Sequence, residues 1–250
     1  MTPGSLAELD IACLRADNPG PYSLSGTNTW VVGRDPAWVV DPGPALDEHL
    51  DAVAAEVAAR GGGGGIAVTH DHLDHVEGVP GLRARLGGAV PVAAARYRAD
   101  VRPDDGSALG PFIAYELPGH ADDHLVLVAE RAAFTGDAVL GEGSVFVAGA
   151  LRAYLEGLRR LRALDLAVLC PGHGPEVWEP AAKLDGYIAH RLDRERRLLD
   201  ALAAGVRGEE ALLDAGWDDA PAALRPAAAV TLRAHLEKLR EEGRLPADVA

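Results

Sequence analysis

From Thr69 the chain reads THDHLDH, placing three histidines and two aspartates between His70 and His75. Crowding groups that must shed water is costly unless something compensates them. A turn uses one aspartate for local hydrogen bonding; three imidazoles beside two carboxylates point instead to bound metal. The preceding Ile66–Thr69 reads as a strand. Beyond it, an extended His-Asp-His sends His70 and His72 to one side, as two ligands of one ion. Asp74 and His75 follow at the turn and offer ligands to a second ion. A dinuclear hydrolytic site needs about eight positions filled by imidazole, carboxylate and a bridging water. Three further segments offer candidates: LPGHADDH with His120, FTGDAVLGEG with Asp137 and LCPGHGP with His173. Glycine or proline flanks each, as expected where backbone bends closely around a site. Alone, each of the three reads as a turn residue; beside the 70–75 cluster they become a set.

The elements that must position these residues are legible from periodicity. TNTWVVG (27–33) and AWVVD (37–41), joined by RDP, form a hairpin. Leu46, Leu50, Val53 and Val57 recur at helical spacing through 46–60. The run Gly61–Gly65 lacks the Lys-Ser/Thr of a phosphate loop and reads as a flexible connector. Further strands are expected at 66–69, 90–92, 112–117, 125–129, 132–135 and 167–169. A helix at 150–164 carries Leu151, Tyr154, Leu155, Leu158 and Leu161 on one face. Mixed strands and helices give an α/β protein of packed sheets with helices outside. From Asp185 the chain reads as helices only, at 187–204, 208–215 and 222–243. This divides it into a catalytic domain, 1–184, and a helical domain, 185–250.

The pattern THDHLDH resembles the HxHxDH signature of the metallo-β-lactamase superfamily, and the other three motifs follow in that family's order. GTNTWVVG, VVDPG, LPGHADDH, TGDAVLGEG, PGHGP and the helical tail together resemble the beta-lactamase-like protein 2 family, from Asn18 to about Leu245. The resemblance implies an αββα sandwich with a metal site at one edge and a C-terminal winged-helix-like appendage. It also implies that His70, His72 and His120 hold a first zinc, that Asp74, His75 and His173 hold a second, and that Asp137 bridges them. Members resembling this chain are linked to single-stranded RNA cleavage, and neighbours to thioester or lactam hydrolysis.

Other residues are read from their places. His124 follows His120 by four and is a candidate for orienting a ligand or assisting the leaving group; with Asp74 it is the candidate catalytic residue. Asp41 ends a strand before Pro-Gly and is placed to orient a ligand histidine. The loop of Asn28 and Thr29 approaches the site in the resemblance. His49, His190 and His235 lie in helical segments and are expected at the surface. Cys170 reads as a buried thiol.

The expected chemistry is hydrolysis by a zinc-bound hydroxide, the water's pKa falling from 15.7 towards about 7. Manganese or iron tolerates the same ligands. An ester, thioester or phosphodiester is the expected substrate class, as a small molecule or short single-stranded RNA. No Gly-x-Ser-x-Gly elbow competes. A non-catalytic nucleic-acid-binding module with structural metals is the rival reading. Against it stand a net charge of −14 and a tail with 10 basic and 13 acidic residues from Asp185 to Ala250, which disfavour duplex DNA. The tail is expected to pack beside the metal cleft or against a second copy in a homodimer. Two cysteines give no disulfide framework. With no basic, apolar leader and no membrane span, a cytoplasmic location is expected.

Overall fold

Successive side chains of the central strands enter different cores. In β2 (Asn28–Val32), Trp30 and Val32 face one cluster and Val31 another; in β3 (Ala37–Val40), Val40 and Val39 divide the same way. This period of two, with both faces buried, requires a layer on each side of the sheet. The computed structural model, which describes residues 4–249, has those layers.

One sheet has the order β1-β2-β3-β4-β5, adding β1 (Ile11–Arg15), β4 (Gly63–Ala67) and β5 (Val92–Ala93). Its first three strands are antiparallel; β4 and β5 join in parallel. The other has the order β10-β9-β8-β7-β6, from β6 (Ala108–Leu109), β7 (Phe112–Glu116), β8 (Leu125–Ala129), β9 (Ala132–Gly136) and β10 (Val168–Pro171). Only β9 and β10 pair in parallel. Trp30, Phe112, Leu127, Phe134 and Cys170 fill the space between the sheets. Outside the first sheet, Leu50, Val53 and Val57 of α1 (Asp47–Ala59) pack with Leu82 of α3 (Val79–Arg85), beyond the single turn α2 (Leu73–Val76). Outside the second lies α4 (Leu151–Arg162), burying its predicted face of Leu151, Tyr154, Leu155, Leu158 and Leu161.

The glycine run is not a loose connector. Gly63 pairs with Ala37 and Gly65 with Trp38, so the run forms most of β4. The Trp38 indole lies flat enough against it that a Cβ on Gly64 or Gly65 would come within 2.6 or 2.5 Å of the ring. The glycines make room for a tryptophan, a need that local composition does not express.

The 24-residue helix α5 (Pro180–Ala203) passes through Asp185 without interruption. Its Leu184 and Tyr187 join the α4 cluster, while Leu198 and Leu202 join a separate core with α6 (Glu209–Gly216) and α7 (Arg225–Glu241). Thr231 on α7 accepts a hydrogen bond from the Val147 amide at 3.2 Å, so the tail is docked on the sandwich. His49 and His235 are buried rather than superficial. Each belongs to an internal face: His49 packs under the turn after β3, and His235 against Trp217 at 5.6 Å. His190 is half-buried. Among the described residues no helix is long and apolar enough to cross a membrane.

Candidate metal centre

Both sheets end at the same edge, and every candidate ligand sits there. Asp41 follows β3, His70 follows the strand β4, Asp137 follows β9 and His173 follows β10; His120 lies in the β7–β8 connection. His72 precedes α2, whose single turn carries Asp74 and His75. Gly172 lets β10 approach: a Cβ there would stand 2.6 Å from Asp137 Oδ1 and 2.7 Å from His75 Cε1.

All seven predicted ligands are brought together. Ligand atoms of His70, His72 and His120 lie within 4.8 Å of one another, as do those of Asp74, His75 and His173, and those of His70, His75 and Asp137. His72 Nδ1 is 3.0 Å from His70 Nε2 and 3.1 Å from His120 Nε2. His173 Nε2 is 3.2 Å from Asp74 Oδ2 and 3.4 Å from Asp137 Oδ1. The other Asp137 oxygen faces His120 Nε2 at 3.6 Å, so one carboxylate spans both groups.

The outer nitrogens are already committed. Asp41 Oδ1 accepts the Thr69 amide, and Oδ2 accepts both the Thr69 hydroxyl at 2.8 Å and His75 Nδ1 at 2.9 Å. Having donated its proton to Asp41, the Thr69 hydroxyl accepts from His70 Nδ1 at 3.0 Å. Backbone carbonyls of Phe146 and Gly26 accept from Nδ1 of His120 and His173. In four rings the Nε2 atom therefore faces inward, the tautomer expected of metal-ligating histidines. His49 reinforces this frame: its Nε2 is 2.9 Å from the Thr29 hydroxyl, which donates to the Asp41 carbonyl.

The residues fit a pair of cations. A single proton on His72 Nδ1 cannot serve two facing nitrogens at once, whereas a cation among the three can. Tetrahedral zinc, with Zn–N of about 2.0–2.1 Å, holds its nitrogens about 3.3–3.4 Å apart, near the spacing found. His75 Nε2 and Asp137 Oδ1 are buried without a hydrogen-bond partner, which is costly unless an ion answers them. Burial, then repulsion from His75, His124, His120 and His72, holds His70 well below the usual histidine range. In the acidic half, burial disfavours charge on His173, but hydrogen bonds to Asp137 and Asp74 carry it up to about 10. Asp137 falls the other way: burial raises it, and His75 and His173 pull it far below the usual carboxylate range. Both halves are arranged around concentrated positive charge.

His124 lies behind the cluster. Its ring stacks on His70 at 4.8 Å, its Nε2 accepts the Asp137 amide at 3.1 Å, and burial pushes it down to about 3. It positions Asp137 and His70 and does not face the cleft. Asn28 is likewise a tie: its amide donates to the carbonyls of Pro171 and Gly174, holding the His173 loop against β2. Sequence reasoning missed Thr69 and Thr27. The Thr27 hydroxyl donates to Asp74 Oδ2 at 3.4 Å and accepts from Asn18 at 3.0 Å. A threonine immediately before the first histidine was the available sign for Thr69; Thr27 had none.

Residues 212–247 match the beta-lactamase associated winged helix domain. A Caenorhabditis elegans protein, beta-lactamase-like protein 2 homolog, is 32% identical over 248 residues, covering 90% of this chain and 82% of the relative. The chain belongs to the metallo-β-lactamase superfamily. The Aspergillus fumigatus atrochrysone carboxyl ACP thioesterase is 32% identical over 265 residues, covering 98% of this chain and 79% of the relative. The superfamily thus includes hydrolases at this level of similarity. The crystal structure of a metallo-beta-lactamase family protein from Thermus thermophilus superposes with a TM-score of 0.68 at 24% identity, covering 94% of each chain. Its likeness extends over the sandwich and the appendage alike, giving the metallo-β-lactamase fold with a C-terminal winged-helix domain.

Proposed function

We propose that this protein is a dinuclear zinc hydrolase acting on thioesters or related esters. The observation that carries the reading is the convergence of seven ligand side chains, four of whose five imidazoles have their outward nitrogens already hydrogen-bonded. His70, His72 and His120 would hold one ion, Asp74, His75 and His173 the other, and Asp137 both. Two zinc ions, when bound, would supply the charge that acidifies a water and polarises a carbonyl.

The protein's own groups prepare the rest. Asp41 and Thr69 hold His70 and His75 in one tautomer and one orientation. Asp74 is the more open carboxylate, its side chain 36% exposed against 11% for Asp137. Burial pushes Asp74 up, but His173 and His75 bring it below the usual carboxylate range, so it is ionised at neutral pH and able to accept a proton from water at the cleft. Thr27 fixes its orientation.

Three features support a thioester over a polyanion. Leu73, between His72 and Asp74, is 74% exposed. Tyr22, 66% exposed, meets Phe146 edge-on at 6.2 Å, and Phe146 is the residue whose carbonyl holds His120. This apolar rim suits an acyl chain, and the net charge of −14 repels phosphate backbones at long range. The thioesterase relative points the same way. Zinc-loaded protein assayed in parallel on an acyl thioester, a β-lactam and single-stranded RNA tests the reading. Turnover of the thioester at the higher kcat/KM is expected; cleavage of RNA alone would replace it with the phosphodiesterase reading.

A further inference from the structure

The tail presents a buried charge that no carboxylate answers. Arg191 on α5 is 2% exposed, and its Nε has no hydrogen-bond partner. From Nη2 it donates to Ser144 Oγ at 3.1 Å and to the Val145 carbonyl. Its nearby polar groups are the Tyr154 and Tyr187 hydroxyls, the former in hydrogen-bond contact, the neutral imidazoles of His190 and His235, and a second cation, Arg194. Arg194, one turn further along, is different: both arms of its fork are taken by Asp219 at 2.7 and 2.8 Å. A buried guanidinium without a counter-charge is costly to hold, and its planar fork matches carboxylate and phosphate oxygens.

Arg191 lines a cavity of about 240 Å³ between α5, the 144–146 loop and the segment running from Trp217 into α7. The cavity's other polar groups are mostly donors. Ser144 contributes a hydroxyl. His190 accepts Arg194 Nε on its Nε2 at 3.1 Å, so the proton of the neutral ring is on Nδ1, the atom facing Ser144. Burial, then Arg191 and Arg194, keep His190 neutral down to about 4, against weaker pulls from Asp219 and Asp193. Asp219, the cavity's one carboxylate, is spent on Arg194. Phe146 also lines the cavity, and its carbonyl accepts from the outward Nδ1 of His120, so the cavity adjoins the loop that backs a ligand of the metal cluster.

We propose that this cavity binds a phosphate or carboxylate group, the anionic end of a substrate whose scissile bond reaches the metal cluster past Phe146. The substrate assignment rests on the hydrolase reading; the anion site does not.

The test is titration of the zinc-loaded protein with sodium phosphate or sodium acetate at neutral pH, followed by the NMR signals of the Trp217 indole and the His190 ring. Both line the cavity. Saturable shifts are expected, with a dissociation constant on the order of 1 mM. Response to phosphate alone assigns a phosphorylated end, response to acetate alone a carboxylate end, and response to both a site serving either. Two variants should abolish the response: Arg191→Met removes the charge, and Ser144→Asp, at an exposed position, supplies a carboxylate from within. Silence at both signals in the native protein would overturn the proposal. So would a response that survives in Ser144→Asp, since it would then arise at the metals. On paired thioesters with and without a terminal carboxylate, Ser144→Asp should raise KM about tenfold for the charged member only, the cost of one lost charge-assisted contact. Absence of turnover on both would defeat the hydrolase reading while leaving the titration to decide the anion site.

Discussion

Asp41 Oδ2 lies 2.9 Å from His75 Nδ1 and also accepts the Thr69 hydroxyl that orients His70. One carboxylate thereby fixes a histidine in each half of the cluster. Asp41→Asn keeps the size but removes the charge, and its amide hydrogens compete with His75 Nδ1–H for orientation. Metal affinity should fall about 10–100-fold, the usual cost of losing such a partner. Competition with a chelator measures it; unchanged affinity would show that His75 needs no such support.

Asp74 belongs to one half only, with His75 and His173. Asp74→Ala should keep close to one ion per chain, bound by His70, His72 and His120, and lose turnover. Metal analysis beside the thioester assay reads both outcomes. Loss of all metal would mean that the two halves do not fill independently.

The buried His235 makes the tail sensitive to acid. Burial, then Arg191 and Lys238, push it down to about 3 from an ordinary 6.5. Between those values the unfolded chain binds more protons than the folded protein, so stability declines as pH falls through that window. His190, held at about 4, adds in the same direction. His235→Gln should flatten the dependence of the melting temperature on pH below about 6.5, whatever it does to stability at neutral pH. An unchanged slope would show that the ring is not protonated on unfolding.

Most of the metal-centre arrangement was readable because its ligands come from short loops near the ends of apolar strands, one a dense His/Asp cluster and the other three with glycine or proline beside the ligand. The hairpin 27–41 and the α4 face were readable from periods of two and 3.6. The glycine half of β4 was not, although its end at Ile66–Ala67 was, because those glycines are set by the distant Trp38 indole, and composition alone reads five glycines as slack. His49 and His235 were misplaced for a related reason: an isolated histidine in a helix carries no sign of what packs on it. Helix α5 gave no sign that its arginines differ, Arg194 being paired with Asp219 while Arg191 is left without a carboxylate.

Elemental analysis of protein purified without chelator, with the thioester assay run on the same sample before and after chelation, tests the dinuclear account most directly. About two zinc ions per chain are expected, with turnover lost on chelation and restored by zinc. One ion or none at saturation, or hydrolysis that survives chelation, would contradict it.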